Sequence, residues 1–414
     1  MAHRVYGNTA LKGLARLPGT EAQQERRVLP ATLTSEIDRL RSHDGWLNAG
    51  IPKYNRLFGR DAAISAWQLL RYDPEIARST LLELARLQGT KNDPETGEQP
   101  GKILHENTAV AIPGISWLRP NRPVYFSIDS TPLFLILAGK YYEATGDKMT
   151  LRKLQPNLVS AAKWILDYGM SSGLVRYDKP AGGKGLQSQS WKDGIGVLMD
   201  TLEGPVAVVE VQGYAYCALR STAAILAGFA DGALAVRMKE AAVLLKKRFN
   251  EEFWPPGADF PYLTIDGMGR KQAAITSNPG HLLFTGILNA DQASRIVSRI
   301  FKPDMFTRCG IRTHSAASPD FDEYAYQLGS VWPHDNWVIA QGLKSAGYPW
   351  HYDAIKRAVS GALVGMGSSP EYMPIGFNGS AMGLADSRLV SPPCTPQAWS
   401  SGALADFLTE VRRG

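Results

Sequence analysis

Apolar residues recur along most of the chain at helical spacing, three and four apart, rather than in strand-like alternation. The clearest segment opens at Asp73-Pro74-Glu75, which supplies an N-cap, a proline at the first helical position and an acid in the first turn. Ala77, Leu81, Leu84 and Gln88 continue one face, and Gly89 is the predicted stop. A second helix is predicted from Asp129-Ser130-Thr131-Pro132 to Gly146. Its run from Leu133 to Ala138 has no polar face, so it must be covered on both sides. Similar patterns occupy 35–43, 61–71, 149–168, 210–229, 231–249, 290–300, 329–346, 351–365 and 397–412, and strand signals are few and short.

About eleven or twelve helices, some amphipathic and some apolar all round, imply an inner layer enclosed by an outer one. The expected fold class is therefore all-α, an α/α toroid. A four-helix bundle needs far fewer residues, and the sequence has no internal repeat of the length a solenoid requires. Residues 1–33 are polar, Arg-rich and broken by Pro18 and Pro30, and are expected to form a leader or arm ahead of a single domain over 34–414. Long irregular stretches at 90–125, 171–208, 251–281, 302–326 and 367–395 separate the helices. Connections longer than about 15 residues usually carry function, and in a toroid they gather at one mouth.

Composition narrows the function. Of 414 residues, 44% are hydrophobic and 20% charged, which excludes a disordered or collagen-like chain. The formal charge of +6 is spread evenly, which argues against a nucleic-acid partner. No stretch of about 18 apolar residues occurs, so no membrane span is expected. Cys217, Cys309 and Cys394 lie far apart with no metal-ligand spacing. They read as reduced, buried thiols in a cytoplasmic protein, with no metal. Ten Trp, 16 Tyr and 13 Phe suffice for flat stacking walls as well as a core.

No nucleotide-binding loop, zinc-protease motif or serine-hydrolase elbow occurs, so no cofactor is implied. What remains is a set of carboxylates among aromatics. Arg60-Asp61 stands where a loop meets a helix, either as a cap and local pair or as a donor fork beside an acceptor for a polyhydroxylated ligand. Asp193 follows Trp191 and Lys192; the indole would raise its proton affinity and the lysine lower it, while an Asx-turn before Gly194 is the plain alternative. Glu210 interrupts the apolar run VAVVEV just before Gln212, where a charge is costly unless paired or facing a cavity. Trp332-Pro333-His334-Asp335-Asn336 is a polar cluster at a helix start, where Asp335 or Asn336 would serve as a cap. Glu371, in SPEYM, reads by residue statistics as a surface acid. Paired carboxylates beside aromatics suit glycoside hydrolysis, and equally a sugar epimerase or a lyase.

The strings FGRDAAIS, GKILHE, YFSIDSTPLF, SWKDG, VEVQGYAY, SNPGHLL, GIRTHS, GSVWPHDNWVIAQGL, SPEYM and PQAWSSGAL occur in order over about 46–403. Together they resemble the glucosidase domain of the amylo-α-1,6-glucosidase (glycogen debranching) family. The resemblance implies an (α/α)6 toroid that hydrolyses an α-glucoside or α-glucan fragment with inversion and without a cofactor. It implies Asp193 as general acid and Glu371 as general base. It places Arg60, Asp61, Asp129, Trp191, Lys192, Glu210, Gln212, Trp332, His334 and Asp335 around the sugar, with His105 and Glu106 at the mouth. The chain departs from that pattern at Tyr326-Gln327-Leu328, where Tyr-His-Asn is usual, at His314 in place of leucine, and at Gly194 in place of serine. It also lacks the family's β-rich N-terminal domain, so a pocket open on one side, a homo-oligomer that closes it, or a shorter glucoside is expected. The rival readings are an epimerase or another toroid glycosidase, for example on a small glucosyl conjugate, and a catalytically silent carbohydrate-binding protein, motivated by Gln327 and Leu328.

Overall fold

Helices form where the apolar period runs. The computed structural model describes residues 29–112, 114–194, 201–229 and 232–409; the expected leader lies outside them up to residue 28. Among the described residues stand α1 Ala31–Leu40, α2 Gly59–Gln68, α3 Pro74–Arg86, α4 Ser130–Thr145, α5 Lys148–Trp164, α6 Val209–Ala227, α7 Gly232–Glu252, α8 Ala290–Ile300, α9 Pro333–Ser345, α10 Pro349–Met366 and α11 Ala398–Thr409. Asp73 caps α3 by accepting from Glu75 N at 3.1 Å. That helix ends three residues before the predicted glycine. Gly89 serves a close approach instead, since a Cβ there would lie 2.4 Å from the Gln99 carbonyl. The run Leu133–Ala138 in α4 is buried on every side, and Gly146 closes the helix in the left-handed conformation at φ 66°.

Strands are minimal. Seven two-residue strands form three small antiparallel sheets: β1 Leu57–Phe58 with β2 Glu106–Asn107; β3 Ala207–Val208, β4 Thr264–Ile265 and β5 Lys271–Gln272; and β6 Phe306–Thr307 with β7 Gly310–Ile311. They pin loops to helix starts. β1 runs directly into α2 and β3 into α6.

The packing closes into a ring. Helix α2 packs on α4, α4 on α6, α6 on the 3₁₀ segment Asn278–Phe284, that segment on α9, α9 on α11, and α11 back on α2. Around these six lie α1 against α11, α3 against α2 and α4, α5 against α4 and α6, α7 against α6, α8 against the 3₁₀ segment, and α10 against α9 and α11. Outer and inner elements alternate strictly along the chain, which gives six hairpins and an (α/α)6 toroid. No helix among the described residues is long and apolar enough to cross a membrane.

The sixth inner element was not foreseen, because Asn278-Pro279-Gly280-His281 is too short for an amphipathic period. A 3₁₀ segment fills a helix-sized place because its neighbours come unusually close. A Cβ on Gly213 of α6 would lie 2.6 Å from Leu282 Cδ2, and one on Gly342 of α9 would lie 2.5 Å from Leu283 Cβ and 2.9 Å from Phe284 N. Gly342→Ala forces backbone apart rather than a flexible tip, and is expected to cost about 1–3 kcal/mol of unfolding free energy in a urea titration. An unchanged midpoint would show slack at that contact.

Candidate active site

All six inner elements begin at the same end of the ring, and their first turns carry the polar residues singled out above. Converging helix N-termini present partial positive charge to that space and favour carboxylates there. The start of α2 is fixed first: Gly59 N donates to the His105 carbonyl at 2.8 Å, and a Cβ on Gly59 would lie 2.2 Å from the Leu104 carbonyl. This aims Arg60 inward, 3% exposed. Its Nε donates to Asp129 Oδ2 at 2.7 Å, its Nη1 lies 3.7 Å from Asp193 Oδ2, and its Nη2 is buried with no hydrogen-bond partner among the described residues. Asp129, ahead of α4, also accepts from Ser127 Oγ at 2.7 Å. Asp61 is no cap: it lies inside α2 and accepts from Gln397 Nε2 at 3.2 Å. Burial pushes its proton affinity up to about 8 against the pull of Arg60, and the nearby Glu371 and Asp193 charges add to the rise.

Asp193 and Glu371, 178 positions apart in the sequence, meet here. Asp193 keeps 29% of its side chain exposed. Desolvation nonetheless dominates and raises it to about 6, with Arg60 opposing and Asp129 reinforcing. Glu371 is 2% exposed, not a surface acid. Tyr326 Oη donates to its Oε1, and Cys394 N donates to Oε2 at 3.2 Å. Burial lifts it to about 7; the Tyr326 bond is the largest opposing influence, and the Asp193 charge pushes it further up. Asp61, Tyr54 and Tyr326 each feel both charges, so the two carboxyls share one set of neighbours.

Behind this pair lies a closed polar floor. Trp191 and Trp332, 2% and 1% exposed, spend their faces on protein: Trp191 stacks on His281, and Trp332 on Tyr372 at 5.4 Å. His334 stacks on Trp399 at 3.8 Å, and neither ring nitrogen has a hydrogen-bond partner among the described residues. Asp335 Oδ1 pairs with His281 Nε2 at 2.7 Å, while Tyr214 Oη contacts His281 Nδ1. Lys192 donates to the Thr313 carbonyl at 2.5 Å. Burial pushes Lys192 down and Glu210 up, and their opposite charges counter both shifts. Neither Asp335 nor Asn336 caps α9, which starts at Pro333 with both inside it; Asn336 clamps Ile311 through N–H and carbonyl at 2.7 and 2.9 Å.

Gln212, expected at the sugar, is engaged by backbone on both sides of its amide. Its Oε1 accepts from Val175 N at 2.8 Å and its Nε2 donates to the Val175 and Val208 carbonyls at 2.8 and 3.0 Å. His314 is engaged with Asp320 at 2.8 Å, away from the carboxyl pair. At the mouth Glu106 holds Arg56 Nε at 2.5 Å, and burial together with Arg60 and Arg56 keeps His105 neutral. Residues the sequence reading missed are Tyr54, Tyr326, Gln397 and His281. The last two lie in motifs already noted, PQAW and SNPGH, whereas nothing local marks Tyr54. Among the described residues no group of three or more His, Cys, Asp or Glu side chains is arranged to hold a metal ion.

A model of the mannosylglycerate hydrolase MGH1-like glycoside hydrolase domain matches residues 54–372. No curated protein matches the chain in sequence. Among solved structures, the GH63 mannosylglycerate hydrolase from Thermus thermophilus in complex with Tris superposes with a TM-score of 0.70 at 18% identity, over 92% of this chain and 100% of that one. The enzyme of the same name with glucose gives 0.68 at 19%, over 92% and 99%. A protein described as Glycosidase Wild Type gives 0.64 at 14%, over 91% and 94%. These identities carry the fold alone. The match is to this family rather than specifically to amylo-α-1,6-glucosidases. Most of the strings behind the earlier resemblance sit at inner-ring helix starts or on the loops that carry Asp193 and Glu371, so they follow the polar end of the toroid and not the linkage cleaved.

In the folded protein Asp61, Asp193 and Glu371 hold protons up to about 8, 6 and 7, whereas the unfolded chain releases them at about pH 4. The native state therefore binds more protons across that window, and stability falls as pH rises through it. Asp61→Asn removes one contributor and is expected to raise Tm more at pH 8 than at pH 5. Equal shifts at both pH values by scanning calorimetry would contradict a raised carboxyl at 61.

Proposed function

The chain belongs to the mannosylglycerate hydrolase MGH1-like glycoside hydrolase domain family, and on that premise we propose that it hydrolyses a small α-glycosyl conjugate with inversion, Asp193 acting as general acid and Glu371 as general base. The observation that carries this reading is the meeting of two carboxyls of raised proton affinity, each held by a different loop, over one opening. The family's name supports a conjugate with a short polar aglycone such as glycerate, and the ten motif strings support an α-glucoside. An α-glucan fragment is the second reading, favoured by those strings alone.

In the proposed cycle the Asp193 proton passes to the glycosidic oxygen as the bond to the anomeric carbon breaks. Glu371 takes a proton from a water that attacks the opposite face, so the sugar leaves as the opposite anomer. Inversion needs roughly 6.5–9.5 Å between the carboxyls to seat that water. Each turnover leaves Asp193 ionised and Glu371 protonated, and exchange with solvent restores both. Arg60 steadies the ionised Asp193 that forms. Asp61, neutral at pH 7, has a proton to donate to a sugar hydroxyl.

Asp193→Asn and Glu371→Gln are each expected to lower kcat on α-glucosylglycerate or p-nitrophenyl α-glucoside by about 100- to 10,000-fold. Proton NMR of the first turnovers should show the β-sugar before mutarotation; α-sugar first would exclude inversion. The profile of kcat/KM against pH should be a narrow bell with limbs near the values of about 6 and about 7 that the two carboxyls share. Activity falls below it as Glu371 takes up a proton and above it as Asp193 loses one.

A further inference from the structure

Three loops, not consecutive in the chain, meet around the carboxyl pair: one carries Asp193, one carries Glu371, and a third, leading into α9, carries neither. Gln327 on that third loop is 1% exposed. Its amide is divided between the two ends of the acid-bearing turn: Oε1 accepts from Gly194 N at 2.8 Å, and Nε2 donates to the Trp191 carbonyl at 2.9 Å. Asp193 is bracketed by those two bonds. The preceding residue, Tyr326, donates its phenol proton to Glu371 Oε1.

The segment that makes both contacts is itself fixed. The Tyr326 carbonyl accepts from Ser330 Oγ at 2.6 Å and Trp332 Nε1 at 3.2 Å, and the Tyr326 ring meets Trp332 and Tyr372 edge-on at 4.9 and 5.3 Å. The acid turn fits against it closely. A Cβ on Gly194 would lie 2.7 Å from Tyr326 Cδ1 and 3.3 Å from Gln327 Oε1. The glycine thus lets the turn lie against the tyrosine ring while its N–H reaches the glutamine.

We infer that Tyr326-Gln327 is a positioning element that sets the separation of the general acid from the general base, one residue holding each, with Gly194 as its fitted counterpart. The inference rests on the roles proposed above for Asp193 and Glu371. The two residues act differently. Gln327 is neutral and bonds only to backbone, so it governs where Asp193 sits and not its charge. Tyr326 bonds to the carboxylate itself, so it governs both the place of Glu371 and its readiness to ionise.

The test uses the full chain carrying Gln327→Met or Tyr326→Phe, compared with wild type by hydrogen exchange and by pH profiles on p-nitrophenyl α-glucoside. Gln327→Met should speed amide exchange in 190–194 roughly tenfold, the worth of the lost bonds. It should lower kcat about 100-fold, as expected for a misplaced catalytic group, with KM within about threefold and the pH optimum unmoved. Tyr326→Phe should leave exchange in 190–194 unchanged and move the acid limb to higher pH. Unmoved exchange in Gln327→Met, or a kcat within about twofold of wild type, overturns the inference, as does an unmoved acid limb in Tyr326→Phe. Exchange does not depend on turnover, so failure of the acid–base assignment, seen as full activity in Asp193→Asn, is a separate result from failure of the positioning element.

Discussion

The site depends on one buried cation. The Arg60 guanidinium and Asp129 carboxylate bond with side chains 4% and 0% exposed, and removing either partner of such a pair leaves an uncompensated buried charge. An arginine cannot shed its proton to escape, so the charge at the start of α2 is permanent. Asp129, Asp193 and Asp61 all raise the guanidinium's proton affinity, and it lowers that of Asp61 and Asp193 in return. Without it, Asp61 and Asp193 would lose the charge that holds their proton affinities down. The ring makes the arrangement possible by directing the starts of its inner elements at the same volume.

Desolvation then separates roles that composition leaves equal. Asp61, Glu371 and Asp193 are chemically alike, yet they are lifted to about 8, 7 and 6. Asp61 is held to one amide donor and stays neutral. Glu371 has a phenol and a backbone N–H that favour its ionised form, as its proposed role as base requires. Asp193 sits beside Arg60 at the opening, where an entering sugar would exclude water and raise it further, as its proposed role as acid requires. The order in the free protein, Glu371 above Asp193, is the reverse of the one the proposed roles need, and substrate entry supplies the desolvation that lifts Asp193.

Much of this was legible along the chain. Leu133–Ala138, with no polar face, told correctly of an inner helix covered on both sides, and Asp73-Pro74-Glu75 told of a helix start. Where the reading missed, the cause was non-local. The 3₁₀ segment at 278–284 stands in for a helix only because glycines on α6 and α9 admit it, and no window around Pro279 contains that information. Glu371 reads as a surface acid because nothing near SPEYM announces the tyrosine 45 positions earlier. Gln212 reads as a sugar ligand because its motif neighbours Glu210, yet its amide is used up on the backbone of Val175 and Val208. Gln327 looked like the loss of a catalytic motif and so motivated a silent protein. Its two bonds to the acid turn remove that motive.

The floor behind Trp191 shows what the fold gives up. Glu210, Asn278, Asp335 and His334 all bring buried polar groups to it, with Asn278 beside Glu210, whose proton affinity it lowers, and Asp335 paired to His281. A core built for stability would have replaced them with apolar groups, since a buried polar atom costs about 1–3 kcal/mol wherever it is left unmet. Buried polar groups occur elsewhere in the ring, Ser65, Thr80 and Thr222 among them, but these four stand together at the first turns of α6, α9 and the 3₁₀ segment. Aromatic packing fixes this floor: Trp191 stacks on His281, and His334 on Trp399. Through Trp332 the same cluster also fixes the Tyr326 and Tyr372 rings beside Glu371, so the polar floor and the surroundings of Glu371 are held by one set of ring contacts.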